Sequence, residues 1–389
     1  MGTKRQLAPL ISSAIAECQS GPVLDLFAGM CSVGEAVGQS RPVWANDLQR
    51  FSQQVALALF CSQSPPRKPW VLRDVLKEAF LKNLRVLTDT IGSAIARESM
   101  ALESGDLNAL SQIFDQQLTA TAFPEEPAYS VFLHRYRGLY LSALQCAELD
   151  SLRYAMNLAH DQGQISEDEH RWLLVAAAVA MSKCTTSTGH FAQPLSPKLP
   201  TLARYVAQRR RSLSSETWTA LSTLFPLGDR SWRKRNQVFR GDALDLLASD
   251  SLKANPPRVV YADPPYTADQ YSRYYHLYET WVLYDRPSCE GNGRYRGDRA
   301  SSAFSCAGQA TGALRKLIEL VASHGADLIL SYPAKGVIRD SESIIVAEIE
   351  RHYKKSPSID AISHSHSTMG GSKGAASNGV YEKIYRVAA

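Results

Sequence analysis

The chain has 389 residues, enough for two or three domains or for one core carrying a large insertion. Apolar residues make up 44% and charged residues 21%, which excludes bulk disorder and fibrous repeats and allows a sizeable buried core. A formal charge of +5 permits a polyanionic partner without requiring one, and the longest apolar run, Leu173 to Met181, is too short to span a bilayer.

Leu7, Leu10, Ile11, Ala14 and Ile15 fall on one helical stripe, so the N-terminal segment is expected to be an amphipathic helix. A secretory leader would be interrupted there by Pro9, Ser12, Ser13 and Glu17. Val23 to Phe27 then reads as a buried strand, Ser32 to Gly38 as a helix start, Val43 to Asp47 as a second strand and Arg50 to Phe60 as a helix. This alternation predicts a parallel sheet covered by helices. It stops at Cys61, and helical periodicity with proline breaks runs to about Asn236. Alternation resumes with Val238 to Arg240, Arg258 to Asp263, helices through Trp281 and over Leu314 to Ser323, and a strand over Asp327 to Ser331. Ser358 to Ser363 and Val380 to Val387 are expected as a last, antiparallel pair around the Gly/Ser-rich loop Ser367 to Gly379.

The expected architecture is therefore α/β: a Rossmann-like sheet of about 200 residues, 1–60 and 237–389, with a mostly helical insertion over 61–236. The seven cysteines are scattered without metal-ligand or disulfide spacing, which argues against a metal site and fits a reducing cytoplasm.

Three segments would meet at the carboxyl edge of that sheet. Asp25-Leu26-Phe27-Ala28-Gly29-Met30-Cys31 is a small-residue turn after a strand, able to bring backbone N–H groups close to a ligand. Asp47 ends the next strand about 20 residues later, where an acidic side chain can take both ribose hydroxyls. The turn lacks the Gly-x-Gly-x-x-Gly and Lys-Ser/Thr patterns of phosphate sites, so a nucleoside without pyrophosphate fits, with S-adenosylmethionine the candidate. Asp242 can reach an adenine amino group, cap the helix Ala243 to Ala248, or do both.

Asp263-Pro264-Pro265-Tyr266 follows the fourth strand. The prolines fix two φ angles and donate no N–H, so Asp263 and the Pro264 carbonyl make a stiff pair of acceptors suited to an exocyclic amino group. Tyr266 offers a stacking face for the base. The chemistry that follows is methyl transfer to that amino nitrogen, driven by positioning and electrostatics. A base inside a duplex is out of reach, so it would have to be flipped out.

These motifs and their order resemble the Dam-like, alpha-group DNA adenine N6-methyltransferases. The resemblance implies cofactor contacts from Lys4, Asp25, Phe27, Ala28, Gly29, Asp47, Asp242 and Asp263, and a base site of Asp263, Pro264, Pro265 and Tyr266. It implies duplex DNA as partner and a cognate restriction or defence system as companion. One departure is Cys31, where the family's turn has its second glycine. Arg209, Arg210 and Arg211, together with Arg233, Lys234 and Arg235, are candidate phosphate contacts, as are Arg240, Arg273, Arg294, Arg296 and Arg299. Tyr271 is the candidate for the base pocket from a stripe, Tyr274, Tyr275, Tyr278 and Trp281, that otherwise reads as core, while His190 reads as structural. Two other readings of the same residues are an RNA amino-group methyltransferase (guanine N2 or adenine N6) and a non-catalytic nucleic-acid-binding protein retaining the fold; cytosine amino methylation is a third.

Overall fold

The computed structural model describes residues 4–119, 128–187, 190–365 and 379–389. Its chain divides into two compact units, one of Met1–Gln63, Pro226–Ser272 and Ala300–Ala389, the other of Ser64–Phe225 and Arg273–Arg299. Chain order alone places the whole of 237–389 with the sheet, whereas Arg273–Arg299 groups with the helical unit. Most of the expected loop around Ser367 lies outside the described residues.

The strands, in chain order, are β1 (Val23–Asp25), β2 (Val43–Asp47), β3 (Gln237–Arg240), β4 (Val259–Ala262), β5 (Cys289–Glu290), β6 (Tyr295–Arg296), β7 (Asp327–Pro333), β8 (Ser358–Ser365) and β9 (Gly379–Val387). Seven of them form one sheet in the order β3-β2-β1-β4-β7-β9-β8. β3, β2, β1, β4 and β7 are mutually parallel, and β9 runs antiparallel to both β7 and β8, as the terminal pair was expected to do. The chain builds outward from β1 to β3, then returns to β4 on the other side of β1. That reversal makes β1/β4 the topological switch point, where an open α/β sheet leaves a crevice beyond its strand ends.

Helix α1 (Ala8–Ala16) buries Ile11, Ala14 and Ile15, while Leu10 turns outward; α2 (Ser32–Val37) and α3 (Arg50–Cys61) follow β1 and β2. One face of the sheet packs Leu24, Val260, Leu328 and Leu330 against Leu314, Leu317 and Ile345 from the later helices, an apolar core sealed from water. The helix Ser341–Tyr353 was not read from the sequence, because its Ile344-Ile345-Val346 run has a strand's composition.

The second unit is helical, with Pro69–Ser104, Leu107–Thr119, Ala143–Asp161, Glu167–Cys184, Leu202–Arg209, Leu213–Leu221 and His276–Leu283, plus the two-stranded β5/β6 ribbon. Capping boxes start two of these helices, Ser142 with Gln145 and Ser166 with Glu169. Among the described residues no helix is long and apolar enough to cross a membrane.

Candidate active site at the switch point

The turn after β1 is held on both sides by its neighbours. Leu26 N donates to Tyr261 O at 2.9 Å and Ala28 N donates to Asn46 O at 2.8 Å. Gly29, at φ +51°, donates its N–H to Asp47 Oδ2 at 2.9 Å, and Gln49 N donates to Asp47 Oδ1 at 2.8 Å. Asn46 Nδ2 ties the turn to the next one through Leu26 O (3.1 Å) and Gly241 O (3.3 Å). Phe27, Gly29 and Met30 remain partly accessible between buried flanks. Cys31 is fully buried with φ +64°, so the position does need the left-handed backbone for which glycine suits, and cysteine bears the strain.

Gly34 closes the turn against the sheet. A Cβ there would stand 2.6 Å from Phe60 Cζ and 3.0 Å from Val43 Cγ1. Gly34→Ala is therefore expected to destabilise the sheet unit by about 1–3 kcal/mol, read as a lower denaturation midpoint with unchanged slope. An unchanged midpoint would show that Phe60 yields freely.

Asp25 is buried at the end of β1 and its Oδ1 has no hydrogen-bond partner. Burial, then the neighbouring Asp263 and Asp47 carboxylates, push its pKa up to about 8. Burial also raises Asp47, against the hydrogen bonds from Gln49 and Gly29. The sign of the consequence is fixed. A carboxyl whose folded pKa exceeds its unfolded value gives stability that is complete at low pH and lost as pH rises towards about 8. Asp25→Asn should match the parent at pH 4 and exceed it increasingly up to pH 9 in denaturant titrations, with pH values spanning about the window of that shift; parallel stability curves would refute it.

The second piece is the corner after β4. Asp263 is half-buried, Pro264 buried, and Pro265 and Tyr266 half-buried, so the Tyr266 ring retains an accessible part. Tyr266 O accepts from Val337 N at 2.8 Å, and Gly336 lies so close to that carbonyl that its Cβ would be 3.2 Å away. Sequence reasoning missed this buttress; its only signal was the Gly after β7. Gln270 is fixed by Ser302 through N–H and C=O at 2.7 and 3.1 Å, and Phe27 meets Phe304 edge-on at 5.3 Å. Phe27 and Tyr266 both pack partly on the main core. Asp242 caps the helix Ala243–Ala248 by accepting from Leu244 N at 2.8 Å. Lys4 lies in a one-turn helix, and its side chain is outside the description.

The arginine expectations need correction. Arg209 is sealed inside, with Glu98 at 2.9 Å and the Gly138 and Leu139 carbonyls at 3.0 and 2.7 Å. Arg233 is buried and donates to the Ser62, Leu227 and Gly228 carbonyls. Arg294 and Arg296 are buried as well, the latter between Asp285 and Asp298. None of these four can reach a phosphate. Arg210, Lys234, Arg235 and Arg240 are exposed, Arg211 is exposed beside Glu216 at 2.6 Å, and Arg273 and Arg299 lie over the Tyr295 ring. Tyr274, Tyr275, Tyr278 and Trp281 are buried as core, Tyr271 is half-buried, and buried His190 accepts from Ala192 N.

The comparisons with known proteins agree with this geometry. Residues 1–90 and 229–300 match the family described as D12 class N6 adenine-specific DNA methyltransferase. The chain is 25% identical over 348 residues to Modification methylase StsI of Streptococcus sanguinis, covering 88% of this chain and 45% of that protein. It is 24% identical to Modification methylase LlaI of Lactococcus lactis subsp. lactis (78% of this chain, 41% of that protein). It is also 24% identical to Type II methyltransferase M.FokI of Planomicrobium okeanokoites (82% and 41%). The chain thus spans under half the length of the curated relatives it matches. No solved structure matches it significantly. The segments that carry the switch-point turn and the Asp263 corner are thus the ones similar to the D12 class N6 adenine-specific DNA methyltransferase family.

Proposed function

We propose that this chain is a site-specific DNA adenine methyltransferase acting from S-adenosylmethionine on the N6 amino group of an adenine flipped out of duplex DNA. The observation that carries the reading is the pairing of β1 with β4, which sets the Asp25 turn and the Asp263 corner side by side at the switch point.

The residues present fit the cofactor. Asp25 Oδ1 and Asn46 Oδ1 are buried oxygens without partners, an acceptor-rich lining for a ligand that carries cationic groups and hydrogen-bond donors. Asp25, Phe27, Ala28, Gly29, Asp47 and Asp242 would hold it, joined by Lys4 on the family resemblance. When bound, S-adenosylmethionine supplies an electrophilic methyl group. The chain's own part is to hold the base. Asp263 and the Pro264 carbonyl accept the two amino hydrogens, which favours a pyramidal nitrogen with its lone pair exposed, and Tyr266 stacks on the ring. Pro264 and Pro265 keep the acceptors from relaxing away. Arg210, Arg211, Lys234, Arg235 and Arg240 are exposed cations available for backbone phosphates, with Tyr271 close in the chain to the corner.

The printed names of the relatives, modification methylases, support duplex DNA as substrate and a cognate restriction system as companion. Purified protein with cofactor labelled in its methyl group should label duplex DNA and yield N6-methyladenine on digestion. Labelled RNA beside unlabelled DNA would overturn the assignment.

A further inference from the structure

The chain leaves the sheet unit after Ser272 and re-enters it at Ala300, so Gln270 and Ser302 stand just inside the exit and the re-entry. The two are clasped. Ser302 N donates to Gln270 Oε1 at 2.7 Å and Gln270 Nε2 donates back to Ser302 O at 3.1 Å, the way one peptide group pairs with another across a sheet. Ser305 Oγ adds a bond to Asp269 O at 3.3 Å. Thr267 to Gln270 belong to no helix or strand, so these bonds stand in for regular structure in the strap that leads from Tyr266 to Tyr271.

The re-entering segment carries the clasp onward. Ser302 Oγ accepts from Phe304 N at 3.3 Å and starts the one-turn helix Ala303–Ser305, which sets the direction of the Phe304 ring. That ring is 1% exposed, part of the main core, and meets Phe27 edge-on at an interplanar angle of 88°. Phe27 is the half-buried side chain of the turn after β1. Contacts therefore run without a break from Phe27 to Phe304, Ser302 and Gln270, and along the strap to Tyr266. They end at the Val337 N–H on the Tyr266 carbonyl.

We propose that Gln270 and Phe304 are positioning residues that couple the two halves of the site: a ligand seated against Phe27 steadies the Phe304 ring and, through the clasp, firms the corner on which the base stacks. The inference rests on the methylation reading, with Phe27 in the cofactor pocket and Tyr266 under the base. Holding a long glutamine side chain and an irregular strap in one arrangement costs conformational entropy. When one end is already held by a ligand, less remains to be ordered at the other, and the two sites favour each other without sharing a contact. The consequence is order: the corner is firmest when a methyl donor is in place. A clasp that only closes the neck where the chain crosses between units would hold the corner equally with and without ligand.

Gln270→Met keeps the side chain's length and removes both hydrogen bonds, while Phe304→Leu keeps much of the buried volume and removes the ring edge. The probe is S-adenosylhomocysteine, the demethylated cofactor, and the readout is amide hydrogen exchange in the full chain. Val337 follows β7, which β4 separates from β1, so its amide reports the corner. Leu328 and Leu330, buried in β7, report global opening and slow in every variant that binds the probe. In the parent, saturating probe should slow Val337 exchange about tenfold, to a plateau that excess ligand does not move. In both variants the slowing should fall below about twofold, with probe affinity of Gln270→Met within about threefold of the parent by calorimetry. Single-turnover methyl transfer should drop about tenfold in Gln270→Met. Equal slowing of Val337 in parent and Gln270→Met, or none in a parent that binds the probe, overturns the coupling. If Phe304→Leu fails to fold, half-buried Gln270 decides alone. A parent that does not bind the probe overturns the cofactor reading and the coupling together. A parent that couples but leaves adenine unmethylated overturns the substrate reading only.

Discussion

Asp263→Ala should slow methyl transfer to duplex DNA by about 10²–10⁴-fold, with cofactor affinity held within about threefold. The alanine removes the side-chain acceptor of the pair, leaving the Pro264 carbonyl to hold one amino hydrogen while the nitrogen stays planar and conjugated. Cofactor binding survives because Asp263 is a neighbour of Asp25 whose charge opposes ionisation there, so its removal makes Asp25 the better partner for a cation. Asp263→Asn is the sharper variant. Its amide oxygen can still accept, but its NH₂ can turn a donor towards the substrate's own donors. Single-turnover labelling with titration calorimetry of the cofactor reads both sides. A parent-like rate in Asp263→Ala would remove the acceptor corner from the mechanism. Parallel loss of cofactor binding would mean that the residue serves the other pocket. Tyr266→Ala should weaken base binding by about 1–3 kcal/mol, and Tyr266→Phe should keep it, because the contribution is the ring's face.

That corner was legible in the sequence because its physics is local. Two prolines and an aspartate after a β-branched run state their own conformation, and Val259-Val260-Tyr261-Ala262 is a strand by composition alone. The switch point was not local. Only the sheet order shows that β4 returns beside β1 rather than extending from β3, and only that order sets Asp25 against Tyr261. The hydrogen bond from buried Ser331 to buried Glu382 was hidden for the same reason: the two lie 51 residues apart in the chain. The left-handed backbone at Cys31 shows the limit of motif reading in the other direction. The residue departs from the pattern, and the backbone keeps the pattern's conformation. Charge runs fared worst, because each straddles a helix end: the last helical residue, Arg209 or Arg233, is buried and the residues after it are exposed. Arg209 is inside and Arg210 outside; Arg233 is inside, with Lys234 and Arg235 outside.

Arg209 carries the largest stability effect expected in the helical unit. Its side chain is fully buried against Glu98 at 5% exposure, stacks over Tyr205 at 4.5 Å, and also donates to the Leu141 carbonyl and Thr186 Oγ1. Glu98 in turn accepts the Ala143 N–H at 2.7 Å, at the start of the helix Ala143–Asp161. One guanidinium thus joins three helices and the loop Gly138–Leu141. Arg209→Met keeps most of the volume and leaves a buried carboxylate without its cation, which costs about 3–5 kcal/mol. The double variant Arg209→Met with Glu98→Gln removes the stranded charge and should recover a large part of that loss, so the two changes will be far from additive. Hydrogen exchange of the Ala143–Asp161 amides in the intact chain measures it in the unit concerned. Arg210→Ala should leave that protection within about 0.5 kcal/mol of the parent, because its side chain is in solvent. If DNA affinity falls in Arg210→Ala with less salt dependence while folding is untouched, the neighbours divide the work: one arginine holds the unit together and the next meets phosphate. If Arg209→Met leaves exchange unchanged, the buried pair contributes nothing and the unit is held by its apolar contacts alone.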